Sequence, residues 1–514
     1  MTDPTSELLI NHPSGDDDEQ NDEFDVIVLG AGSTGTNVAG YAREHGLSVA
    51  VIESERVGGD CSYWACMPSK ALLGPVHALA AARRFPGSDA AVAGHIDPRA
   101  VFDRRDDIVS HFDDSGQVEW LDSIGATLIR GHARINGERR VTVTGEDAAV
   151  RYLTANRAVV IATGSRAAMP PIDGLADANP WSSRHATSAS DVPPHLAILG
   201  GGVVGCEMAQ AYRGLGADVT IVESSARLLN KYEPWVGDIL HEVFTDDGID
   251  VMVGASAERV VREPDGTLTI TISAQRATGG SETRTITADE VLVATGRTAN
   301  TDDIGLDTIG LRPEALMRGS YLGVDDRLAV TAVDGDWLFA AGDVNGRALL
   351  THQGKYQARI LGDVLGGVHI TAWADHVAVP QVVFTHPEVA SVGRTSVYGD
   401  VGDGDGDDGD GDGDGADDAG DFEFITVELG SVAAATLANE QRGKASITID
   451  RKRNVIVGAT FVGPGVGELL HSATVAIVGE VPIDKLWHAV PSYPTISELW
   501  LRLLEANRQE TSSS

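Results

Sequence analysis

Apolar and polar positions form a repeating pattern along this chain, and the pattern predicts an α/β protein. The run DVIVLG, residues 25–30, is short, apolar and β-branched, which favours a buried strand. A glycine turn and a helical stretch to about Gly46 follow, and a second apolar run, LSVAVIES, reaches Glu53. Strand, glycine turn, helix and strand in this order predict parallel strands joined by a crossover helix.

The same pattern recurs in HLAILGGGVVGCEMAQAYRGLGADVTIVES, residues 195–224. The glycines of the two turns are Gly30, Gly32 and Gly35 in the first copy and Gly200, Gly202 and Gly205 in the second. Glu53 follows Gly30 by 23 residues, and Glu223 follows Gly200 by 23 residues. Such glycines let the backbone approach a pyrophosphate at a helix N-terminus, and the acid accepts ribose hydroxyls. The chain is therefore predicted to contain two dinucleotide-binding folds.

The acid of the second copy bears on the choice of nucleotide. A carboxylate at Glu223 would repel the 2′-phosphate of NADP, so NAD is favoured. Arg227 lies four residues further on and could soften that preference. The alternative for Glu223 is a solvated strand end without a ligand.

Three further apolar strands end in glycine turns, where the backbone could approach a ligand closely. They are VVIATGS (159–165) with Thr163 and Gly164, VLVATGR (291–297) with Gly296, and LFAAGDVNG (338–346) with Gly342 and Asp343. The aspartate after the last strand could accept a hydrogen bond from a sugar-like hydroxyl. Its alternative is a simple turn residue.

The charge of the chain is strongly acidic. Its 514 residues carry a net charge of −37, with six lysines against 33 arginines. Such a chain repels itself at low salt and would repel phosphates, so a high-salt cytosol is the favoured setting and nucleic-acid binding is disfavoured. We expect a cytoplasmic protein, because no apolar run is long enough to span a membrane and the acidic first residues lack the features of a secretory signal.

Part of the acidity lies in a low-complexity segment, residues 400–421, which contains 11 aspartates alternating with glycine. A calcium loop needs spaced ligands closed by a bidentate glutamate, and this segment has none. We predict a disordered, solvated surface insertion, with weak cation binding as the alternative.

Two of the three cysteines lie close together in GGDCSYWACMPSKALL, residues 58–73. Cys61 and Cys66 could form a structural crosslink, a metal site or a redox pair, or could be adjacent by coincidence. Three cysteines are too few for a disulfide scaffold, and a zinc site lacks partner ligands, so no metal is predicted. Cys206 lies inside the second glycine turn and is predicted to be a small packing residue.

In order and spacing, a set of segments along nearly the whole chain resembles the flavoprotein pyridine nucleotide-disulfide oxidoreductases. The segments are GAGSTG, CSYWACMPSK, ATGS, GGGVVGCE, ATGRTAN, AAGDV, PQVVFTHPEVASVG and YPTISE. The resemblance implies FAD in the first fold, NAD(P)H in the second and a C-terminal domain that forms a homodimer. The fold class is then α/β, with two Rossmann-like domains and an α+β dimerisation domain.

The resemblance also implies boundaries for these domains. The predicted segments are a disordered acidic tail (1–22), an FAD-binding domain (23–194), an NAD-binding domain (195–298), a return to the FAD-binding domain (299–373) and a dimerisation domain (374–507) that carries the insertion (400–421).

The family's residue roles carry over onto matching positions of this sequence. Cys61 and Cys66 would form a redox disulfide, with Cys66 nearer the flavin and Cys61 exchanging with substrate. Lys70 would lie near the flavin and pair with Glu207. The remaining cofactor contacts would be Glu53 to the adenosine ribose of FAD and Asp343 to its ribityl chain.

The chain departs from the family near its C-terminus. Disulfide reductases of this family carry a histidine base before PTxSE, supplied by the partner subunit, whereas this chain has Tyr493 there and keeps Glu498. His488 is a displaced alternative. We expect a dihydrolipoamide dehydrogenase-like enzyme. One alternative is a soluble transhydrogenase; members of that class resemble this chain in having a tyrosine before PT, but they lack the second cysteine. Another is a reductase that passes electrons from the flavin to quinones or other small acceptors. Mercuric reductase is disfavoured, because the chain ends without a cysteine pair.

Overall fold

The computed structural model describes residues 21–275, 280–397 and 422–513. Residues 1–20 of the predicted tail and the whole predicted Gly-Asp insertion (400–421) lie outside these ranges. One predicted boundary is wrong: the first strand begins at Asn21, so residues 21 and 22 belong to the sheet rather than to the tail.

Helices separate the parallel strands at the start of each of the first two units, and runs of consecutive strands follow them. In chain order the strands are β1 (Asn21–Leu29), β2 (Val49–Glu53), β3 (Thr127–Arg130), β4 (His132–Ile135), β5 (Arg140–Thr144), β6 (Val150–Ile161), β7 (Ser165–Ala167), β8 (His195–Leu199), β9 (Asp218–Glu223), β10 (Asp250–Val253), β11 (Ala255–Arg262), β12 (Leu268–Gln275), β13 (Ser281–Ala288), β14 (Glu290–Val293), β15 (Arg297–Ala299), β16 (Leu338–Ala340), β17 (Gln381–Val383), β18 (Glu388–Gly393), β19 (Phe422–Glu428), β20 (Lys444–Asp450) and β21 (Val455–Gly463). The helices are α1 (Ser33–Glu44), α2 (Gly59–Tyr63), α3 (Cys66–Arg84), α4 (Pro98–Ile108), α5 (Ser115–Ser123), α6 (Ser183–Ser188), α7 (Val203–Gly214), α8 (Pro234–Asp246), α9 (Thr351–Leu365), α10 (Ala374–Val377), α11 (Ala433–Leu437), α12 (Val466–Val478), α13 (Ile483–Leu486) and α14 (Glu498–Ser513).

The first unit is a sheet in the order β3-β2-β1-β6-β5-β4, with β16 paired to β6. β1, β2, β3, β6 and β16 run parallel, while β4 and β5 are antiparallel additions. The apolar residues of β1, from Val26 to Leu29, are almost completely buried, as expected for a strand covered on both faces. β16 returns to this sheet after the second unit, so the first unit is built from two separated parts of the chain.

The second unit repeats the arrangement. Its parallel sheet has the order β10-β9-β8-β14, and the antiparallel strands β11-β12-β13 lie beside it. α7 follows β8 and packs against β9, as α1 follows β1 and packs against β2. The two glycine turns therefore lie at the carboxyl ends of β1 and β8, where parallel sheets bind ligands.

The C-terminal unit is a five-stranded antiparallel sheet, β17-β18-β21-β20-β19, with α12 and α14 packed against it. The predicted fold class is confirmed: two parallel-sheet units precede a mixed C-terminal unit. The predicted domain end at residue 507 falls inside α14, which continues to Ser513. None of the helices in the described ranges is long and apolar enough to cross a membrane.

Candidate functional site

The two glycine turns have the same local geometry. Gly30 and Gly200 adopt positive φ angles of 98° and 108°. A Cβ on Gly35 would lie 1.9 Å from the carbonyl oxygen of Gly30, and a Cβ on Gly205 would lie 2.0 Å from that of Gly200. Side chains at the last glycines would therefore separate each helix from its strand. Gly32 and Gly202, by contrast, face space in which a Cβ would meet nothing within 4 Å.

The acids after the two turns are also held in the same way. Oε2 of Glu53 accepts the backbone N–H of Ala31 at 2.7 Å, and Oε2 of Glu223 accepts that of Gly201 at 2.5 Å. The second oxygen of each carboxylate accepts the N–H two residues further on, at 2.7 and 2.6 Å. Burial raises the pKa of Glu53. Each carboxylate is thus fixed beside its glycine turn.

A cavity of about 970 Å³ runs from the first glycine turn to the cysteine pair. The predicted site residues that line it are Gly30, Gly32, Glu53, Cys61, Cys66, Lys70, Thr163, Gly164, Glu207 and Asp343. Val203 and Val204, from the first turn of α7, also reach it, so both parallel-sheet units contribute to its wall. Gly35 and Gly342 belong to turns next to the cavity but do not line it. The remaining predicted residues of the second glycine turn do not line the cavity either.

Cys61 lies on α2 and Cys66 begins α3. The thiols are hydrogen-bonded to each other. That bond, aided by Thr351 Oγ1 at 3.3 Å from the Cys66 sulfur and by the charge of Lys70, lowers the pKa of Cys66 to about 6. The same thiol–thiol bond, together with burial, raises the pKa of Cys61 above its ordinary value. The pair therefore holds one proton on Cys61 and favours a thiolate at Cys66.

Lys70 and Glu207 form an ion pair of 2.7 Å between α3 and α7. The other carboxylate oxygen of Glu207 accepts the backbone N–H of Phe384 at 3.0 Å, and the Lys70 ammonium lies 4.7 Å from the centre of the Phe384 ring. The pair thus joins both parallel-sheet units to the segment after β17, and it places a positive charge beside Cys66.

The turn after β16 places Asp343 in the cavity wall, where burial raises the pKa of its carboxyl group. Its Oδ2 accepts the hydroxyl of Ser165 at 2.6 Å. Gly164, Gly296 and Gly342 all adopt positive φ angles, and the Thr163 hydroxyl donates to the Asn300 carbonyl at 2.8 Å. The three apolar strands that were predicted to end near a ligand therefore converge, although Gly296 itself lies outside the cavity wall.

Tyr493 and Glu498 lie away from this cavity on the C-terminal unit. The Tyr493 residue is 76% exposed, whereas Glu498 is only 5% exposed at the start of α14. Oε2 of Glu498 is buried and has no hydrogen-bond partner among the residues that the structure describes, and its Oε1 lies 3.9 Å from Arg502. One chain thus does not bring Tyr493 to Cys61. His488, the displaced alternative, is likewise not among the residues that line the cavity.

Sequence analysis missed several residues that the structure brings to the cysteines. Thr351 contacts Cys66 across 285 positions of sequence, and Asp60 is bound by Arg184 and Arg297. No local pattern identifies such contacts. Only the position of Asp60, immediately before Cys61, could have drawn attention to it.

Comparison with known proteins identifies the family. The profile described as pyridine nucleotide-disulphide oxidoreductase matches residues 24–358, and that of its dimerisation domain matches residues 414–503, which supports a homodimer. Dihydrolipoyl dehydrogenase 3 from Pseudomonas aeruginosa is 32% identical over 481 residues, covering 93% of this chain and 96% of that protein. Mercuric reductase from Staphylococcus aureus is 27% identical over 488 residues, covering 94% and 82%.

A solved structure shares the fold. The copper(II) complex of the HOCl-induced flavoprotein disulfide reductase RclA from Escherichia coli has a TM-score of 0.77 and 22% identity, and the match covers 94% of this chain and 99% of that one. The family profile matches more than half of this chain, and the relatives match it over almost its whole length. The chain therefore belongs to the pyridine nucleotide-disulphide oxidoreductases, a family of flavoprotein enzymes.

Proposed function

We propose that this enzyme passes two electrons between NAD(P)H and a disulfide or dithiol substrate through Cys61 and Cys66, as a dihydrolipoyl dehydrogenase-like enzyme. One observation carries the proposal: Cys61 and Cys66 both face a cofactor-sized cavity, and the Lys70–Glu207 ion pair lines the same cavity. A structural cysteine pair needs neither a stabilised thiolate nor the half-buried Lys70–Glu207 ion pair beside it.

Family members bind FAD and a pyridine nucleotide, and the cavity residues fit FAD. Gly32 has no side chain to cap α1, so the first N–H groups of this helix are left for a phosphate. Glu53 would accept the adenosine ribose hydroxyls, and Asp343 would accept those of the ribityl chain. Thr163 and Gly164 also line the cavity.

The second glycine turn would hold the nicotinamide nucleotide, with Gly202 and α7 facing its pyrophosphate. We infer a preference for NADH, because the fixed carboxylate of Glu223 would repel a 2′-phosphate. Arg227, the residue that could soften this preference, donates to Asp238 at 3.1 Å instead. That ion pair leaves Glu223 as the dominant charge near the ribose position.

Bound FAD would relay a hydride equivalent from the nicotinamide to the Cys61–Cys66 disulfide. Two electrons and two protons convert that disulfide into two thiols. Cys66 would release its proton first, because Lys70, Thr351 and the Cys61 thiol all stabilise its thiolate. Cys61 would keep its proton, so it would react with an external substrate only after a base had removed it.

Tyr493 stands where the family carries that base. In a homodimer, the exposed Tyr493 would face the partner's cysteine pair, with Glu498 buried behind it. A phenol, whose pKa in model peptides is about 10, is a poor general base at neutral pH. Dithiol exchange at Cys61 is therefore the step at which this enzyme should differ from the family.

Single cysteine variants test the proposal. Cys61→Ser and Cys66→Ser should each abolish NADH-dependent reduction of lipoamide, while the protein-bound FAD absorbance stays unchanged. Ser62→Ala, on the same helical turn, is the matched control and should behave as wild type. Lipoamide reduction that survived in both cysteine variants would overturn the proposal. If wild type reduces quinones but not lipoamide, and both cysteine variants keep that activity, the acceptor works at the flavin.

A further inference from the structure

Asp60 directly precedes Cys61 on α2, and two arginines bind its carboxylate. Oδ1 accepts Nε of Arg184 at 2.8 Å and lies 2.6 Å from Nη2 of the same guanidinium. Oδ2 accepts Nη2 of Arg297 at 3.0 Å. The Asp60 side chain is about one-quarter exposed, so these charge-assisted bonds are only partly weakened by water.

The two arginines come from different parts of the cavity wall, and each is anchored further. Arg297, on β15, donates through Nε to the Ser165 hydroxyl at 2.6 Å and through Nη2 to the Ser165 carbonyl at 2.7 Å. The same hydroxyl donates to Asp343 at 2.6 Å. Asp60 is therefore connected, through one arginine and one serine, to the carboxylate of Asp343, which also lines the cavity.

Arg184, on α6, makes the second connection. It donates to both oxygens of Glu55, at 3.2 and 3.0 Å, and its guanidinium lies 4.3 Å from the centre of the Trp64 ring. Trp64 lies in the short connection between α2 and α3, that is, between the two cysteines. The same arginine thus contacts both ends of the segment that carries Cys61.

Other contacts also hold this segment. The backbone N–H of Gly58 donates to the Ala31 carbonyl at 2.8 Å, and the Tyr63 hydroxyl donates to the Asp113 carbonyl at 3.3 Å. α2 has only five residues and begins at Gly59; Gly58 and Gly59 adopt φ angles of 115° and 61°, which glycine reaches more readily than other residues. The bonds at Asp60 add to these contacts at the residue directly before Cys61.

We propose that Asp60 is a positioning residue for the Cys61–Cys66 pair. Its carboxylate, held by Arg184 and Arg297, orients α2 so that the Cys61 thiol donates its hydrogen bond to Cys66. The inference rests on the proposed function and deepens it, because it names what sets the reactivity of the redox pair. Asp60 itself bonds the arginines and does not act on the reacting sulfurs.

The pH profile of Cys66 alkylation by iodoacetamide tests the proposal. Asp60→Ala in the full-length, FAD-loaded, reduced protein should raise the alkylation midpoint by about one pH unit. A one-unit rise means about a tenfold slower reaction below pH 6 and an unchanged rate at pH 9, because the thiolate fraction falls tenfold per unit below the midpoint. Asp60→Asn keeps one acceptor oxygen and should shift the midpoint less.

Variants of the arginines test the same contacts from the other side. Arg297→Met should raise the midpoint, and Arg297→Lys should restore part of the wild-type profile because it keeps a donor and a charge. The matched control is Glu290→Ala, which breaks the equally exposed Arg262–Glu290 pair of the second unit and should leave the profile unchanged. If Asp60→Ala does not fold, Arg297→Met and Arg184→Met decide the question.

Different results would overturn the positioning role of Asp60 and the proposed function of the cysteine pair. A wild-type midpoint near 6, together with an unchanged midpoint in Asp60→Ala or in both arginine variants, would overturn the positioning role alone. A wild-type protein in which Cys66 alkylates only above pH 8, and in which no Cys61–Cys66 disulfide forms with oxidised glutathione, would overturn the proposed function and this inference with it.

Discussion

At the scale of single residues, the chemistry rests on the proton shared by Cys61 and Cys66. The thiol of Cys61 donates to the Cys66 sulfur, which stabilises a thiolate there and makes Cys61 harder to ionise. Thr351 and Lys70 add to the first effect. The two thiols therefore differ in acidity, as the proposed function requires.

Removing the donor should show how much the thiol–thiol bond contributes. Cys61→Ala should raise the pKa of Cys66 by about one to two units, because a hydrogen bond to a charged group is worth about 1.5–3 kcal/mol. Cys61→Ser keeps a donor and should raise it less. The measurement is the pH dependence of Cys66 alkylation, read by mass spectrometry. Equal profiles for Cys61→Ala and wild type would show that the bond does not set the pKa.

Tyr493 gives a second prediction at this scale. Wild-type lipoamide activity should be weak at neutral pH, where the raised pKa of Cys61 keeps its thiol protonated, and should climb toward alkaline pH as that thiol ionises. Tyr493→His should raise the rate at pH 7 by at least about tenfold, since general-base catalysis typically contributes about 10²–10⁴-fold. The unpartnered Oε2 of Glu498 is available to orient the new imidazole.

The control for this gain is Tyr493→Phe, which removes the hydroxyl without adding a base and should gain nothing. Fast lipoamide turnover by wild type at pH 7 would mean that another group is the base, and His488→Gln would then identify or exclude the nearest histidine. A slow wild type that gains nothing from Tyr493→His would point away from a dithiol substrate.

At the scale of elements, the position of a glycine within its strand–turn–helix unit decides whether a side chain there would disturb packing or ligand binding. In the second turn a Cβ on Gly205 would lie 2.0 Å from a carbonyl oxygen, whereas a Cβ on Gly202 would meet no protein atom within 4 Å. Gly205→Ala should therefore lower the free energy of unfolding by about 1–3 kcal/mol, the usual cost of overpacking. Gly202→Ala should leave stability unchanged and weaken NADH binding at least about tenfold, by occupying the place of the pyrophosphate.

Thermal unfolding and NADH titration of the two variants separate these effects. If Gly202→Ala bound NADH as wild type does, the second turn would not be the nucleotide site. If Gly205→Ala were as stable as wild type, the close contact between α7 and its strand would not matter to folding.

These elements also show how far the sequence alone could lead. The equal spacing of Gly30 to Glu53 and Gly200 to Glu223 predicted two equivalent folds, and the structure holds both acids by equivalent backbone bonds. That prediction succeeded because strand, turn, helix and acid are local in sequence. Asp60 and its two arginines could not be predicted in this way, because their contacts span 124 and 237 positions and depend on the completed fold.

At the scale of the whole molecule, the net charge should set how the stability of the fold depends on salt. With −37 at pH 7 and a pI of about 4.6, the folded chain repels itself, and dissolved ions screen that repulsion. We expect the Tm to rise by several degrees between 0.1 and 2 M KCl at pH 7. The measurement is calorimetry or fluorescence-monitored unfolding across the salt series.

The same series at pH 4.6 is the control, because the net charge is then near zero and salt should change the Tm much less. A Tm at pH 7 that stays constant or falls with added KCl would contradict the expectation, drawn from the net charge, of a high-salt setting.

If NADH reduces a Cys61–Cys66 disulfide, two thiols should appear for each NADH consumed, and alkylation counts them. The oxidised, FAD-containing protein is mixed anaerobically with one equivalent of NADH, alkylated and analysed by mass spectrometry. Wild type should consume the NADH and gain two labelled cysteines, Cys61 and Cys66, with Cys206 unchanged. Consumption of NADH with no new label at either cysteine would contradict the account and would favour an enzyme that works at the flavin alone.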